Sequence, residues 1–297
     1  MRVNALETFV ELSEAESFRQ LARAHGVKAS AISRQIEGLE YYFRTELFDR
    51  NAEGISLTES GRLLLGHARQ ILANLRDARA VVDELRGLER GRVTVYAAGA
   101  PAAGILAGVV AELHTTYPGL RFCIETASAG EVFEAVETGK ADLGLTMFSP
   151  EQSKVEIRLS SYVEHRIMVN PGHRLARAER VSLRDLEDCP VALAGMSHGS
   201  RARLEQLARE AQVRLDPVFE TGSVEIHKEL ALRGAAALVL PMMCCRREVD
   251  TGQLVALSFE ERDAMITTID LCCAAGRRLS FAARKLAVAL GQALEAA

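Results

Sequence analysis

Apolar residues at helical spacing predict three short amphipathic helices at the start of the chain. The first covers residues 5–13, the second begins after Ser17, and the third covers residues 29–43. In the third segment the apolar positions recur at i, i+4, i+7 and i+11, which is one face of an α-helix. This stripe consists of Ile32, Ile36, Leu39 and Phe43.

The second and third segments read as a helix-turn-helix. Ser17 and Gln20 have the spacing of a capping box, and Gly26 can adopt the positive φ that ends a helix. The exposed side of the third segment carries Ala29, Ser30, Ser33, Arg34 and Glu37. A helix with an apolar back and small polar groups in front can enter a major groove. We therefore predict Ala29–Phe43 as a recognition helix; an ordinary helical hairpin is the alternative on this pattern alone.

A hairpin and a long helix follow. Two apolar pairs, Leu47-Phe48 and Ile55-x-Leu57, flank a polar turn that contains glycine, which predicts a small β-hairpin, or wing.

Thr58 is a good N-cap for a helix over residues 59–88, about 45 Å long at ~1.5 Å per residue. Its apolar positions alternate by four and three residues, which is a heptad seam that needs a partner helix. The seam consists of Leu64, Ala68, Ile71, Leu75, Ala78, Val82 and Leu85.

Beyond a break at residues 87–92 the pattern becomes strands that alternate with helices. This texture predicts a mostly parallel sheet covered on both faces. Predicted strands are 92–97, 120–125, 141–147, 165–170, 191–194, 218–220, 236–240, 254–259 and 265–273. Predicted helices are 104–117, 131–138, 201–211, 224–233 and 281–290, the last capped by Ser280. We read these elements as two lobes with a cleft between them, and expect the last helix to pack on the first lobe.

Composition changes this picture little. The chain has 297 residues, 48% hydrophobic and 26% charged, which fits two or three domains. The first ten residues lack a secretory pattern and no apolar run has the ~18 residues that span a bilayer, so we expect a soluble cytoplasmic protein without membrane contact. Net charge is −4, and residues 1–90 carry 13 Lys/Arg against 14 Asp/Glu, so any DNA contact depends on local cations.

The six cysteines are expected to be buried, reduced thiols. They are Cys123, Cys189 and the adjacent pairs Cys244–Cys245 and Cys272–Cys273. No CxxC or Cys/His spacing typical of a metal site is present, so we predict no metal and no cofactor.

Together these motifs resemble the LysR-type transcriptional regulators, over the whole chain. The resemblance rests on Phe18-x-x-Leu-Ala, Ala-Ile-Ser-Arg-Gln-Ile-x-x-Leu-Glu at 31–40, Leu-Phe-Asp-Arg at 47–50 and Leu-Thr-Glu-Ser-Gly at 57–61. It implies a mixed α/β protein: a winged helix-turn-helix (1–58), a dimerising linker helix (59–90) and a two-lobed, periplasmic-binding-protein-like effector domain (91–297). Lobe I is assigned 91–161 and 266–297, and lobe II 162–265.

The resemblance also implies a regulator that binds double-stranded DNA at an interrupted palindrome, senses a small, anionic effector and assembles as a homodimer or homotetramer. Contact with the transcription machinery is a further expected partnership. The residues predicted to contact DNA are Lys28, Ala29, Ser30, Ser33, Arg34 and Arg50. Lys28 and Ala29 depart from the family, which has a capping hydroxyl and then a glutamine there, and Glu53 makes the wing acidic; a different target sequence is expected.

The effector residues implied by the family lie in four loops at strand ends. They are Gly99, Ala100, Pro101, Ser128, Ala129, Gly195, Met196, Ser197, His198, Thr221, Gly222 and Ser223. Free N–H groups at helix starts favour a carboxylate or phosphate. The hydroxyl that the family often places near Ala100 is absent.

A second reading is open for one of these loops. Residues 195–199 match Gly-x-Ser-x-Gly, and Asp216 and His227 follow in hydrolase order. The alternative function is thus a small-molecule-binding or serine-hydrolase-like protein with Ser197, Asp216 and His227 as a triad and a dimerising helical N-terminus. We favour the regulator and predict no enzyme activity, because the triad would lie within about thirty residues with its histidine on a helix.

Overall fold

The computed structural model describes residues 3–51, 54–85, 89–147, 155–196, 198–260 and 265–295. They fall into two compact units, residues 3–85 and, for the most part, residues 89–295, which are described separately. The helices are α1 Val3–Ser13, α2 Phe18–Ala24, α3 Ala29–Phe43, α4 Glu59–Leu85, α5 Gly99–Pro101, α6 Ala107–Thr116, α7 Ala129–Glu137, α8 Leu183–Glu187, α9 Gly199–Glu210, α10 Val224–Leu232, α11 Arg246–Asp250 and α12 Phe281–Glu295. The strands are β1 Phe48–Asn51, β2 Gly54–Leu57, β3 Gly91–Ala97, β4 Leu120–Thr126, β5 Leu143–Met147, β6 Val155–Val169, β7 Arg180–Val181, β8 Val191–Leu193, β9 Phe219–Glu220, β10 Ala237–Pro241, β11 Val255–Phe259 and β12 Ile266–Ala274.

The first unit is a three-helix domain with a β-hairpin, and the predicted stripe of α3 faces its core. Ile32, Ile36 and Leu39 are buried there, whereas Phe43 is 38% exposed. The other core residues come from α1, α2, the hairpin and the start of α4. β1 and β2 pair antiparallel with Phe48 opposite Leu57, as the predicted wing requires. The hairpin tip, with Glu53, lies outside the described residues.

The capping prediction for α2 is correct for the hydroxyl and needs one correction for the amide. The Ser17 hydroxyl accepts the Gln20 backbone N–H at 3.2 Å. The Gln20 side chain, however, accepts from the backbone N–H of Glu16 at 2.7 Å, one residue earlier than in a standard capping box. Gly26 follows the helix with φ +65°, as predicted.

Arg44 ends α3 in the left-handed region, with φ 55° and ψ 37°. A residue with a Cβ is strained there by about 1–2 kcal/mol, which glycine avoids at some cost in unfolded-chain entropy. Arg44→Gly is therefore expected to stabilise the N-terminal unit by about 0.5–1 kcal/mol, read from its transition in calorimetry. Arg44→Ala keeps the strain and serves as the control; an equal gain from alanine would contradict the explanation.

Helix α4 has 27 residues and begins as predicted, with the Thr58 hydroxyl accepting the Gly61 N–H at 2.9 Å. Its first turns belong to the core of the first unit, through buried Ala68 and Leu72. The predicted seam therefore has two parts. Leu64 and Ala68 pack in the core of the first unit, and the residues from Ile71 onward include an exposed apolar stripe. Ile71, Leu75 and Val82 are 40%, 44% and 48% exposed. The predicted end at residue 88 lies outside the described residues.

The second unit has two sheet halves that share one strand. The strand order is β4-β3-β5-β12-β6-β10-β8-β9, with β11 pairing both β6 and β7. The first part of β6 pairs antiparallel with β12, and its last residues pair antiparallel with β10 and β11. The neighbours β4-β3-β5 and β10-β8-β9 run parallel, so the sheet is mixed rather than mostly parallel.

Strand β6 is the largest difference from the sequence-based prediction. We predicted a strand over residues 165–170, but β6 has 15 residues and starts at Val155. The predicted lobe boundary at residues 161/162 thus falls inside one continuous strand. Polar residues in the middle of β6 are half-buried or exposed. This part of the strand therefore has no apolar run in the sequence, and it was not predicted. Helices α8 and α11 and strand β7 were also missed, being only five, five and two residues long.

Helix α12 packs on the first sheet half, as predicted. Its buried residues Leu286, Leu290 and Leu294 join the core formed by β3, β5, β12 and the helical segment after Gly99. Asp142, the residue before β5, accepts hydrogen bonds from the Arg277 guanidinium at 2.7 Å and from the Thr94 N–H at 2.8 Å. Both side chains are about nine-tenths buried, so this pair ties β3, β5 and the turn after β12 together.

His165 lies on β6 and is 2% exposed, with Nδ1 3.2 Å from the Met265 carbonyl oxygen. Burial lowers the pKa of His165 from 6.5 to about 4, while the Met265 carbonyl opposes this. Its folded pKa is below its unfolded pKa, so its contribution to stability is full above about pH 6.5 and is lost as the pH falls towards 4. Between pH 7 and 5 the loss should be about 2 kcal/mol. Urea unfolding of wild type and His165→Gln at both pH values measures it, and an equal pH dependence in both would contradict this assignment.

The cysteine prediction agrees with the structure, where the described cysteines are free. Five are buried and Cys123 is half-buried. Burial raises the pKa of Cys244, Cys245 and Cys272 to about 12, so these thiols stay protonated near neutral pH. Among the described residues, no group of three or more potential ligands forms a metal site, and no helix could cross a bilayer.

Candidate DNA-binding and effector sites

The start of α3 presents the predicted DNA-contacting residues. Lys28, Ser30 and Arg34 are exposed, while Ala29 and Ser33 are half-buried. Lys28 is the N-cap residue and its side chain makes no capping bond. The first N–H groups of α3 are therefore not capped by a side chain from this position, and a phosphate oxygen can take that place.

Two of these side chains are held against their own helix. The Ser33 hydroxyl donates to the Glu37 carboxylate at 2.7 Å, and Arg34 Nε donates to the Ser30 carbonyl oxygen at 3.2 Å. Within the described part of the chain, no hydrogen bond or ion pair uses the Nη groups of Arg34. Arg34 thus has the donor pair that recognises a guanine edge or a phosphate.

The hairpin is fixed to α3 by a side chain that the sequence reading did not assign. Glu40 Oε1 accepts the Leu47 N–H at 2.9 Å and approaches the Phe48 N–H at 3.4 Å. This contact sets the position of the wing relative to the recognition helix. The backbone of Arg50 pairs with Ile55, and its side chain lies outside the described part.

The candidate effector loops all follow parallel strands at their carboxyl ends: β3, β4, β8 and β9. Two of them meet. A Cβ at Gly99 would lie 3.7 Å from the Gly222 carbonyl oxygen and 3.7 Å from the Val224 side chain. The continuous helical segment that starts at Gly99 (α5, a π-helical turn over Ala102–Leu106, then α6) thus begins beside the start of α10. A methyl group at Gly99 would therefore make ordinary van der Waals contact with the start of α10.

The loop with Ser128 and Ala129 is occupied by the chain itself. The Ser128 hydroxyl and N–H donate to Glu131 Oε2 at 2.7 and 2.8 Å. These hydrogen bonds, the hydroxyl first, lower the pKa of Glu131. A carboxylate therefore already sits at the start of α7, and no described contact joins Ser128 or Ala129 to the other candidate loops.

The third loop (195–198) and the fourth loop (221–223) both lie close to the imidazole ring of His198. A Cβ on Gly222 would lie 3.3 Å from Cε1 and Nε2 of His198, and one on Gly195 would lie 4.0 Å from Nδ1. His198 is the N-cap of α9, and its side chain makes no capping bond. Met196 is 61% exposed, and Ser197 lies outside the described residues.

The hydroxyls of the fourth loop cap helix α10. The Ser223 hydroxyl accepts the Ile226 N–H at 3.3 Å, and the Thr221 hydroxyl accepts the Ser223 N–H at 3.1 Å. Each hydroxyl oxygen thus accepts one backbone N–H of the loop or helix, and its O–H group can still donate to a ligand.

Arg201 is a buried charge that the sequence reading missed. It is 6% exposed, with Nη2 2.6 Å from Glu205 and Nη1 3.9 Å from Glu220. Nη1 also donates to the Ala194 carbonyl oxygen at 3.4 Å. The i, i+4 spacing of Arg201 and Glu205 is typical of an exposed ion pair on a helix, and the burial of Arg201 near the end of β8 was not predicted.

The hydrolase alternative is wrong. A triad needs the histidine to be bonded to a buried carboxylate. Asp216 is exposed, and neither ring nitrogen of His227 has a hydrogen-bond partner among the described residues.

A cavity of about 470 Å³ lies elsewhere, along β6 and the end of β10. Tyr162, Glu164, Arg166, Met242 and Met243 are among its lining residues. None of the candidate effector residues that the structure describes is among its lining residues.

The fold and these sites define a winged helix-turn-helix protein with a two-lobed ligand-binding domain. Residues 3–62 match the family model for the bacterial regulatory helix-turn-helix protein, lysR family, and residues 86–295 match the LysR substrate binding domain. The chain belongs to the LysR family. It is a DNA-binding transcriptional regulator with an effector-binding domain, not an enzyme.

Individual relatives span nearly the whole chain. The SDS degradation transcriptional activation protein of a Pseudomonas species is 29% identical over 294 residues, covering 95% of this chain and 92% of its own. Full-length OxyR from Pseudomonas aeruginosa has the same fold, with a TM-score of 0.71 at 18% identity, over 99% and 95% of the two chains. Full-length CbnR, solved in a complex with its target DNA, gives 0.68 at 18% identity over 99% and 100%.

Proposed function

We propose that this regulator binds an interrupted palindrome as a homodimer or homotetramer, senses a small anionic metabolite, and changes oligomer geometry on the operator when the metabolite binds. In this scheme residues 1–58 bind DNA, residues 59–90 dimerise and residues 91–297 bind the effector. Contact with the transcription machinery completes the proposed partners, and the DNA partner implies action in the cytoplasm.

The start of α3 carries the DNA part of the proposal. Its apolar stripe is buried, while Lys28, Ser30 and Arg34 face outward at the end of the helix that enters a major groove in this class of proteins. Ala29 and Ser33 complete this surface, and Arg50 on the wing is assigned to phosphate or to anchoring.

The meeting of Gly99 with Gly222 and Val224 carries the effector part. Two helical segments begin at this place, and their N-terminal dipoles favour an anion. A ligand that separates or bridges the lobes here binds one lobe arrangement better than another. This differential affinity is what a change of regulatory state requires.

The exposed stripe of α4 supports self-association. Ile71, Leu75 and Val82 form an apolar line on a long helix, spaced as in a coiled-coil seam. Pairing two such helices would hold two recognition helices at a fixed separation, as an interrupted palindrome needs.

The first test is enrichment of sheared genomic DNA by the purified full-length chain near physiological salt, followed by sequencing. Recovery of a few sites with an interrupted palindrome is expected. Metabolites made or consumed by the products of the neighbouring genes then become the effector candidates, to be tested for a shift in DNA affinity. Enrichment without any shared sequence would refute sequence-specific binding.

Arg34→Ala is expected to weaken binding to the enriched site by about 1–3 kcal/mol if the guanidinium contacts a guanine. Fluorescence anisotropy on the enriched site and on a scrambled duplex measures this loss. Arg23→Ala, on the exposed surface of α2, is the matched control. An equal loss on both duplexes would assign Arg34 to phosphate, and no loss on either would exclude it from the interface.

A further inference from the structure

The cavity along β6 lies where this strand changes its pairing partners. Glu164 is the last residue of β6 that pairs with β12, and His165 pairs with Pro241 at the end of β10. Alternate residues of a strand share one face, and Tyr162, Glu164 and Arg166 all line the cavity. Its volume of about 470 Å³ is within the range of small-molecule sites, roughly 300–1,000 Å³.

Two opposite charges lie side by side on this face. Arg166 Nη2 is 2.8 Å from Glu164 Oε2, and Arg166 Nη1 donates to the Ser258 hydroxyl. Among the described residues, Glu164 Oε1 and Arg166 Nε have no hydrogen-bond partner. The two side chains are 49% and 31% exposed, so water reaches the pair and the pair is weakly held. It therefore offers an acceptor and a donor to a ligand in the cavity.

The rest of the lining is largely apolar. Met242 and Met243, in the short helical turn after β10, are lining residues together with Pro241. Methionine side chains are flexible and adapt to the shape of a bound group. Tyr162 is 82% exposed and adds an aromatic ring, which can cover an apolar group or an ammonium group. The cavity thus suits a ligand that has both an apolar part and charges.

We propose that this cavity binds an α-amino acid with an apolar side chain, at a site separate from the proposed effector junction. The ammonium group of the ligand pairs with the Glu164 carboxylate, and its carboxylate pairs with the Arg166 guanidinium. The apolar side chain of the ligand lies against Met242 and Met243.

The balance of charge in the lining favours a zwitterion. No other charged side chain is among the described lining residues, so the charges of Glu164 and Arg166 cancel. An anion alone would be repelled by Glu164, and a cation alone would be repelled by Arg166. A ligand with two adjacent opposite charges is attracted by both side chains.

Met243 connects the cavity to the segment that carries one of the candidate effector loops. A Cβ on Gly104 would lie only 2.7 Å from Met243 Cγ, so the absence of a side chain there lets Met243 pack on the helical segment that begins at Gly99. The thiol of Cys244 donates to the Ala100 carbonyl oxygen of the same segment at 3.5 Å. A ligand that contacts Met243 therefore touches a residue that also packs against this segment.

The test uses L-phenylalanine as the probe and L-leucine as a smaller second probe. The analogues 3-phenylpropanoate and phenethylamine keep the aromatic ring and only one of the two charges. NMR titration of the ligand signals with the full-length chain gives each dissociation constant. We expect L-phenylalanine to bind with a dissociation constant of about 1 mM or lower, and each analogue to bind at least about tenfold more weakly. Each analogue leaves one member of the Glu164–Arg166 pair without a ligand charge.

Two variants of the pair should have opposite effects on ligand preference. Glu164→Gln removes the partner of the ammonium group, so L-phenylalanine should lose about tenfold in affinity and no longer bind better than 3-phenylpropanoate. Arg166→Gln should abolish its advantage over phenethylamine instead. A merely structural role of the pair would weaken all three ligands alike. Both positions are partly exposed, so the variants should fold as the wild type does.

Glu156→Gln is the matched control. Glu156 lies 3.1 Å from Arg158, also two residues away on β6, and neither residue is among the cavity lining. This variant should bind L-phenylalanine as the wild type does. No detectable binding of either amino acid would overturn the proposal, and so would equal binding of L-phenylalanine and 3-phenylpropanoate by the wild type. Binding that is unchanged in both Glu164→Gln and Arg166→Gln would exclude this cavity as the site.

Discussion

Replacing Leu75 and Val82 together with glutamate is expected to convert the protein to a monomer and to lower its affinity for the palindromic site about 10²- to 10⁴-fold. Both side chains lie on the exposed apolar stripe of α4. Two carboxylates on a helix seam would have to lose their water and face each other's charge, which pairing cannot offset. The second half-site then loses the effective concentration that a linked partner gives it.

Light scattering coupled to size exclusion measures the assembly, and anisotropy with full and half-site duplexes measures the affinity. Gln70→Glu with Asn74→Glu is the matched control, because it adds the same charge to exposed positions one residue away from the stripe. The stripe would lose its assigned role if the Leu75/Val82 variant stayed a dimer, or if the control variant dissociated equally.

Asp142→Ala is expected to destabilise the effector domain by about 3–5 kcal/mol. The change leaves the Arg277 guanidinium buried without its carboxylate and removes the acceptor of the Thr94 N–H. A buried charge without its partner is among the costliest single changes in a protein. Urea unfolding of the effector domain within the full chain measures the loss.

Two comparison variants distinguish the effect of burial on stability from the effect of the ion pair itself. Arg233→Ala breaks a pair whose side chains are 73% and 55% exposed, and should change stability by less than about 0.5 kcal/mol. The double variant Asp142→Asn with Arg277→Met removes both charges and should cost less than Asp142→Ala alone. If Asp142→Ala cost no more than Arg233→Ala, the pair would not stabilise the domain.

The DNA-binding unit could be predicted closely because its signals are local. The apolar stripe of α3 and the small polar residues off it predicted a helix over Ala29–Phe43, and the structure has the same bounds. The wing and the Thr58 cap were also visible, since a hairpin and an N-cap depend on a few neighbouring residues. The strain at Arg44 was not predicted. Its positive φ is set by the direction that the chain takes after α3, and the local sequence does not show this.

The effector domain was predictable in its elements and less so in its junction. The approach of Gly99 to Gly222 joins residues more than a hundred positions apart, and no local pattern encodes it. His227 was considered only as a catalytic histidine. Its spacing from Val224 and Ala231, which share the buried face of α10, was a signal that it points inward. Arg201 has the same kind of spacing from Leu204 and Ala208 on the buried face of α9, and this signal was also missed.

Strand β6 has a consequence for how the effector domain comes apart. Its 15 residues belong to both sheet halves, and the chain returns to the first half through β12 and α12. Neither half can be cut out as a continuous stretch without taking an edge from the other. A substitution that unfolds one half should therefore also unfold the other, because both halves share β6. The effector domain should unfold in one cooperative transition and be degraded as one unit.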